Sequence, residues 1–251
     1  MSLSTKTAYG MTSNRSVRLG ATASACALVL ALAATPASAA TISWTTWTSG
    51  TSSATAGTAA GTISGLGITV AYTGEMEFFD TALEWLPVTS FTGGTVDNAP
   101  PSGASVTNDG IAIFGGGTVV DTVTFSSPVV DPILAIWSLG QPGLQASFVF
   151  PVTQPFAIQG GGPNSEFGGS SIFAGGTCAA NAVCGIEGNG VVQFIGTFTQ
   201  ISWTNPQREG YYAFTVGATG GPTVPEPASL LLLGLGLLGL GAHHRWRMRR
   251  R

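Results

Sequence analysis

Two carboxylates in glycine-rich surroundings, Glu166 in Gly-Gly-Pro-Asn-Ser-Glu-Phe and Glu187 in Cys-Gly-Ile-Glu-Gly-Asn-Gly, are the residues of this sequence best suited to chemistry of their own. Glycoside hydrolysis needs only such a pair, with its carboxyl groups about 5 to 9.5 Å apart. Most other chemistry is closed to the stretch between Ala40 and Thr223, which contains no His and no Lys. Ser-His, Cys-His and Lys-dependent nucleophiles therefore lack a partner. No phosphate loop, dinucleotide fingerprint or Gly-x-Ser-x-Gly elbow is present either. Nothing in the spacing brings Glu166 and Glu187 together, and loop carboxylates in an acidic domain ordinarily act as solvated charges. The sequence points away from an enzyme.

Metal and redox chemistry are similarly limited. Cys178 and Cys184 are the only cysteines after Cys26, and no His precedes His243, so the usual ligands of zinc are missing. No cofactor is implied. Oxygen ligands for calcium occur in the turn-like pairs Asp97-Asn98 and Asn108-Asp109, although Asx residues in turns ordinarily cap their own backbone. Cys178 and Cys184 are expected to form one disulfide, worth at most about 2 kcal/mol because the closed loop is so short. Binding to a sugar would call for exposed aromatics beside hydrogen-bonding groups, and Trp85, after Glu84, and Tyr211 are the candidates. An exposed Trp85 favours a carbohydrate-binding module or adhesin, and a buried one favours a structural protein.

Charge is distributed unevenly. The whole chain has a formal net charge of -3, yet eight of its nine basic residues lie near the two ends. Between them Arg208 stands alone against Glu75, Glu77, Asp80, Glu84, Asp97, Asp109, Asp121, Asp131, Glu166, Glu187 and Glu209, so the central stretch is about minus ten. A field of that sign repels nucleic acid, which is bound through Lys and Arg.

The ends carry addresses. Lys6, Arg15 and Arg18 precede an apolar stretch over 19–34, and Pro36-Ala37-Ser38-Ala39-Ala40 supplies small residues for a signal-peptidase cut after Ala39. Either Met1 or Met11 is a suitable start. At the other end Val224, Pro225, Glu226 and Pro227 form an extended Pro-bracketed carboxylate. An apolar run over 228–242 follows, including Ala228, Ser229, Leu230, Leu235, Leu240 and Ala242. Arg245, Arg247, Arg249, Arg250 and Arg251 close the chain. As a helix this run would cover only ~22 Å of a ~30 Å hydrocarbon core. Its four glycines weaken the helix further, by roughly 1 kcal/mol each. Such a segment suits brief retention better than permanent anchorage, and the arginines keep its end cytoplasmic.

Val-Pro-Glu-Pro-Ala-Ser, the Leu/Gly run and the Arg-rich end resemble the PEP-CTERM sorting signal of Gram-negative bacteria. The resemblance implies recognition by a membrane-embedded exosortase after export through the secretion machinery and signal peptidase. It implies a transient membrane stage and then a place in the envelope, on the surface or outside the cell, commonly alongside exopolysaccharide in a biofilm matrix. Motifs further in resemble the β-rich ectodomains of such substrates: Thr124-Phe125-Ser126-Ser127-Pro128-Val129, Ser138-Leu139-Gly140, Glu187-Gly188-Asn189-Gly190, Gln193-Phe194, Ile201-Ser202-Trp203-Thr204-Asn205-Pro206 and Phe214-Thr215-Val216-Gly217. That resemblance brings location and fold but no catalytic residues.

The elements that must position all this are strands. Short β-branched runs between Gly, Pro and Asn turns are expected at 67–73, 111–114, 118–125, 133–139, 145–152, 191–194, 196–204 and 211–217. They predict an all-β fold, an antiparallel, jelly-roll-like β-sandwich, followed by one hydrophobic sorting helix. The expected division is a signal peptide at 1–39, a Thr/Ser/Gly-rich segment at 40–66 read as ragged edge or linker, the sandwich at 67–221 and the sorting signal at 222–251. Ile201 and Trp203 share one strand face, as do Tyr212, Phe214 and Val216, and Trp137 belongs to the core.

The tail is open to test. Glu226→Ala is expected to leave an uncut, correctly oriented precursor in the membrane, whereas replacing the five terminal arginines with Ser impairs retention and orientation. Immunoblots of membrane and medium fractions distinguish the two, and normal processing of Glu226→Ala would reduce the Pro-Glu-Pro segment to a spacer.

Overall fold

The computed structural model describes residues 39–102 and 110–220. Residues 1–38 of the expected signal peptide, Ala37 among them, Asn108-Asp109, Val224, Pro225, Glu226 and Pro227, the apolar run and the basic tail lie outside the described residues. The strands are β1 (Ile42–Thr51), β2 (Ser53–Ile63), β3 (Ile68–Met76), β4 (Phe78–Asp80), β5 (Gly110–Ile113), β6 (Asp121–Val130), β7 (Ile133–Leu139), β8 (Ala146–Val149), β9 (Phe156–Gly162), β10 (Ser170–Ser171), β11 (Ala182–Gly185), β12 (Gly188–Phe194), β13 (Thr197–Trp203) and β14 (Tyr212–Thr219). The only helix among the described residues is a 3-10 turn at Val88–Ser90. Apart from the short β10–β12 contact, every strand pair is antiparallel.

Twelve strands form one curled sheet that β1 divides into two leaves. The first residues of β1, Ile42 to Trp44, pair with the end of β14, and the remainder, from Thr45, pairs with β2. One leaf contains β14, β7 and β12, with β5 and β4 on one side and β9 and β10 on the other. The other runs β1-β2-β3-β6-β13. The leaves close face to face on aromatic rings. Phe214 of β14 lies 5.0 Å from Trp203 of β13 and 5.3 Å from Tyr72 of β3. The Trp47 indole Nε1 also donates to Thr215 Oγ1 at 3.2 Å across the gap. The architecture is the expected all-β, sandwich-like fold.

Every residue of β7 is buried, because the leaf is covered on both faces. Leu134 and Ile136 point into the space between the leaves. Ile133, Ala135 and Trp137 point the other way, onto a second apolar cluster supplied by Leu83, Trp85, Phe91 and Val96. An uninterrupted apolar strand is what two-sided burial demands. Ile201, Trp203, Tyr212, Phe214 and Val216 all lie in the core between the leaves.

The segment at 40–66 is not a linker. It forms β1 and β2, and it places Trp47 and Ile63 in the core between the leaves. Its small residues are required by close approach rather than by flexibility. A Cβ on Gly61 would come within 2.7 Å of the Thr46 carbonyl oxygen, so the strand can pair with β1 only without one. Ala40 N donates to the Thr95 carbonyl at 2.8 Å, and β1 starts two residues later.

Cys178 and Cys184 are joined, closing the loop that leads into β11 of the small β8–β11 sheet. Losing this bond through Cys178→Ser with Cys184→Ser is expected to cost no more than about 2 kcal/mol, whereas Phe214→Ala between the leaves costs ~3–5 kcal/mol. Urea unfolding of the two variants checks the order, and a disulfide loss costing more than Phe214→Ala would mean that the loop holds the domain together.

Candidate functional site

A cleft of about 190 Å³ opens where β7 ends and β14 begins, lined by Ser138, Gly140, Gln141, Phe167, Glu187, Glu209, Gly210 and Tyr211. Three separate loops converge on it, and Asn189 at the start of β12 holds them together. Its side chain is fully buried. Asn189 Oδ1 accepts from the Ser138 backbone N at 2.7 Å and from Asn164 Nδ2 at 2.9 Å, while its own Nδ2 donates to the Glu187 carbonyl at 3.0 Å. Asn164 Oδ1 in turn accepts from the backbone N of Glu166 at 2.9 Å and of Phe167 at 2.6 Å. Two buried amides thus fix the Glu187 turn and the Phe167 loop against the end of β7, where leaving either unsatisfied would be costly.

The backbone is constrained at the same place. Ser138 and Glu187 both sit at positive φ, 57° and 52°, a conformation that non-glycine residues hold only when their surroundings enforce it. It brings the Ser138 hydroxyl to donate to Glu187 Oε2. Glu209 faces the same cleft and is only 7% exposed. Its Oε1 accepts from Gly140 N at 2.9 Å, and its Oε2 is buried with no hydrogen-bond partner among the described residues. Burial above all, and then the charge of Glu187, push the Glu209 carboxyl up to about 8. The protonated form is thereby favoured.

Two rings of the wall, Tyr211 and Phe167, belong to a longer aromatic row. Phe78 stacks on Tyr211 at 5.6 Å, Tyr211 meets Trp137 at 5.5 Å, and Trp137 meets Phe167 at 5.3 Å. Trp137 is buried beneath, whereas Phe78 and Phe167 at the two ends of the row are 41% and 51% exposed.

The sequence candidates divide between cleft and core. Tyr211 and Glu187 line the cleft. Trp85 does not: it is fully buried, edge-on to Phe91 at 5.1 Å, and serves the second apolar cluster. Glu166 lies outside the cleft lining, and burial followed by the charges of Asp80 and Glu84 raises its carboxyl above the usual range. Asp97 and Asn98 are occupied in holding β1: Thr41 Oγ1 donates to Asp97 Oδ2 at 2.9 Å, and Asn98 bonds both backbone groups of Ile42. Among the described residues no three His, Cys, Asp or Glu side chains cluster as a metal site. Sequence reading missed Glu209, Asn189 and Phe167 as site residues.

A second acidic group is closed off from solvent. Asp121 opens β6 with 1% exposure, and its Oδ1 accepts from Tyr72 Oη at 2.6 Å and from Glu75 N at 2.7 Å. The Glu75 carboxyl accepts from the backbone N of Phe114 and of Gly115, each at 3.0 Å. Gly115 holds φ at +69°, where a Cβ would lie 2.4 Å from the Gln207 carbonyl oxygen, so the cradle needs glycine. Desolvation pushes Asp121 up to about 7, against the lowering effect of its hydrogen bonds. This group braces the sheet and faces no cleft.

A family model of the PEP-CTERM protein-sorting motif matches residues 223–245. The chain carries a PEP-CTERM sorting motif. Comparison with curated proteins and with solved structures finds no match to either. The PEP-CTERM motif marks a secreted, exosortase-targeted surface protein.

The raised carboxyls give this PEP-CTERM protein a characteristic response to pH. Asp121 and Glu209 hold protons in the fold that the unfolded chain has already released, so their contribution is complete below the usual carboxylate range. It is lost as pH rises to about 7 and about 8. Thermal unfolding followed from pH 4 to 9 is expected to show Asp121→Asn and Glu209→Gln flattening this decline, each over its own window. A decline unchanged in both variants would mean that other groups set it.

Proposed function

We propose that the protein is a non-enzymatic component of the cell envelope or extracellular matrix. It crosses the inner membrane on the signal peptide at 1–39 and pauses in the membrane on the apolar run at 228–242. An exosortase then processes it near Val224, Pro225, Glu226 and Pro227. The observation that carries this reading is the sorting motif over residues 223–245, and its supposed setting is an exopolysaccharide-bearing surface or biofilm. The β domain supports a display role: its largest side chains are spent on a rigid interior, with Trp47, Trp85, Trp137 and Trp203 all buried. Partners on this reading are the secretion machinery, signal peptidase and exosortase, with no nucleic acid, since the central stretch has one basic residue against eleven acidic ones.

A second reading, a carbohydrate-binding module or adhesin, is favoured by one observation: the ring row through Tyr211 stands beside two carboxyl groups in a cleft. Intact-mass measurement on protein recovered from cells and from medium tests the main reading. The expected species begins at Ala40, ends in the region of residues 224–227 and is lighter by two hydrogens than the reduced chain. Secreted protein still carrying Arg245 to Arg251 would overturn the processed-tail reading.

A further inference from the structure

We propose that the cleft between Glu187, Glu209 and Tyr211 is a binding site for a neutral saccharide, which packs a ring face on Tyr211 and Phe167 and hydrogen-bonds the two carboxyl groups. The inference rests on the carbohydrate-binding reading above and is independent of how the tail is processed.

Three features of the site converge on that ligand class. The first is the arrangement of rings. Phe78 and Phe167 are large apolar side chains left substantially in solvent at either end of a row whose members lie 5.3 to 5.6 Å apart. Of these, Phe167 lines the cleft together with Tyr211, and a ring kept at the surface beside a concavity reads as part of a contact surface. Flat apolar walls with a few placed polar groups are the usual construction of small-molecule sites.

The second is Glu209. This carboxyl group lines the cleft with 7% exposure, one oxygen held by Gly140 N and the other, buried behind it, without a partner among the described residues. A buried polar atom is expensive to leave unpaired, and a ligand hydroxyl is a group that would pair it.

The third is the balance of charge. Burial favours the protonated form of Glu209, a carboxylic acid that can donate, beside Glu187, which accepts from Ser138. A cation would gain most from two ionised carboxylates, whereas a hydroxyl-bearing ring uses a donor and an acceptor together. The rigid mounting completes the site, since Asn189 and Asn164 hold the Phe167 loop and the Glu187 turn in place before any ligand arrives.

Affinity electrophoresis of the mature protein recovered from producing cells tests the proposal, using native gels cast with dextran, laminarin or xylan as neutral polymers and chitosan as the cationic one. Retardation is expected in at least one neutral polymer. Tyr211→Ala and Phe167→Ala should each weaken it about tenfold, as expected for loss of a stacking ring. Tyr211→Phe, which keeps the ring, should retain most of the retardation, as should Val152→Ser, altered at a residue 86% exposed and outside the cleft lining. Phe167 is half exposed, so its variant folds even if Tyr211→Ala does not. Free mobility in all three neutral polymers, equal retardation of Phe167→Ala and the unaltered protein, or retention by chitosan alone would each overturn the assignment. Release of reducing ends from a retained polymer would overturn a purely binding role. None of these outcomes bears on the sorting motif.

Discussion

The contact of Phe214 with Trp203 and Tyr72 is the interaction on which the other features depend. A curled sheet has no reason to stay closed unless its two leaves have something large to bury between them, and here that something is a set of rings from β3, β13 and β14. Phe148 joins them from β8, 5.5 Å from Trp203 and 5.7 Å from Tyr212. Because β14 supplies Phe214 to this interior and is also hydrogen-bonded to β1, β5 and β7, the packing of one ring fixes the position of the strand around which the first leaf is assembled. The cleft inherits that precision, since Tyr211 and Glu209 immediately precede the same strand.

The polar interior shows a different economy. Asp121 and Glu75 are held by backbone donors and a phenol rather than by cations, in keeping with a domain whose single arginine, Arg208, lies over the Phe114 ring at 5.2 Å. With no lysine or histidine in this stretch to neutralise buried carboxylates, burial raises Asp121 and Glu209 above the usual carboxylate range. Specific hydrogen bonding replaces ion pairing, and the stability of the interior is thereby tied to pH.

How legible this was depends on where each signal resides. The strand at 133–139 could be read to the residue, because two-sided burial writes itself as an unbroken apolar run. The strands β1 and β2 could not: Ser, Thr, Ala and Gly look like linker, and the demand for small residues at Gly61 arises only from the neighbouring strand. Trp44 and Trp47 were the available hint that the segment is buried. In the cleft, Tyr211 and Glu187 could be suspected from type alone. Glu209 and Phe167 acquire meaning only when Asn189 draws their loops together, and a hydrogen bond between residues 25 or 51 positions apart leaves no local mark in a sequence. Trp85 misled for the converse reason, since a Trp beside a Glu and a Pro reads as surface until a second apolar layer is found beneath the sheet.

The pairing of Ile42 with Thr219 joins the first strand of the domain to the last. For a polypeptide that crosses a membrane from its N-terminus onward, this makes folding a record of transit. The edge of β1 emerges first and stays open until the final strand has crossed, a delay that non-local pairing makes unavoidable. An open edge is a handle for proteases and for other chains, so a molecule stalled short of its last strand is conspicuous, and one that has crossed completely conceals the handle within its own sheet.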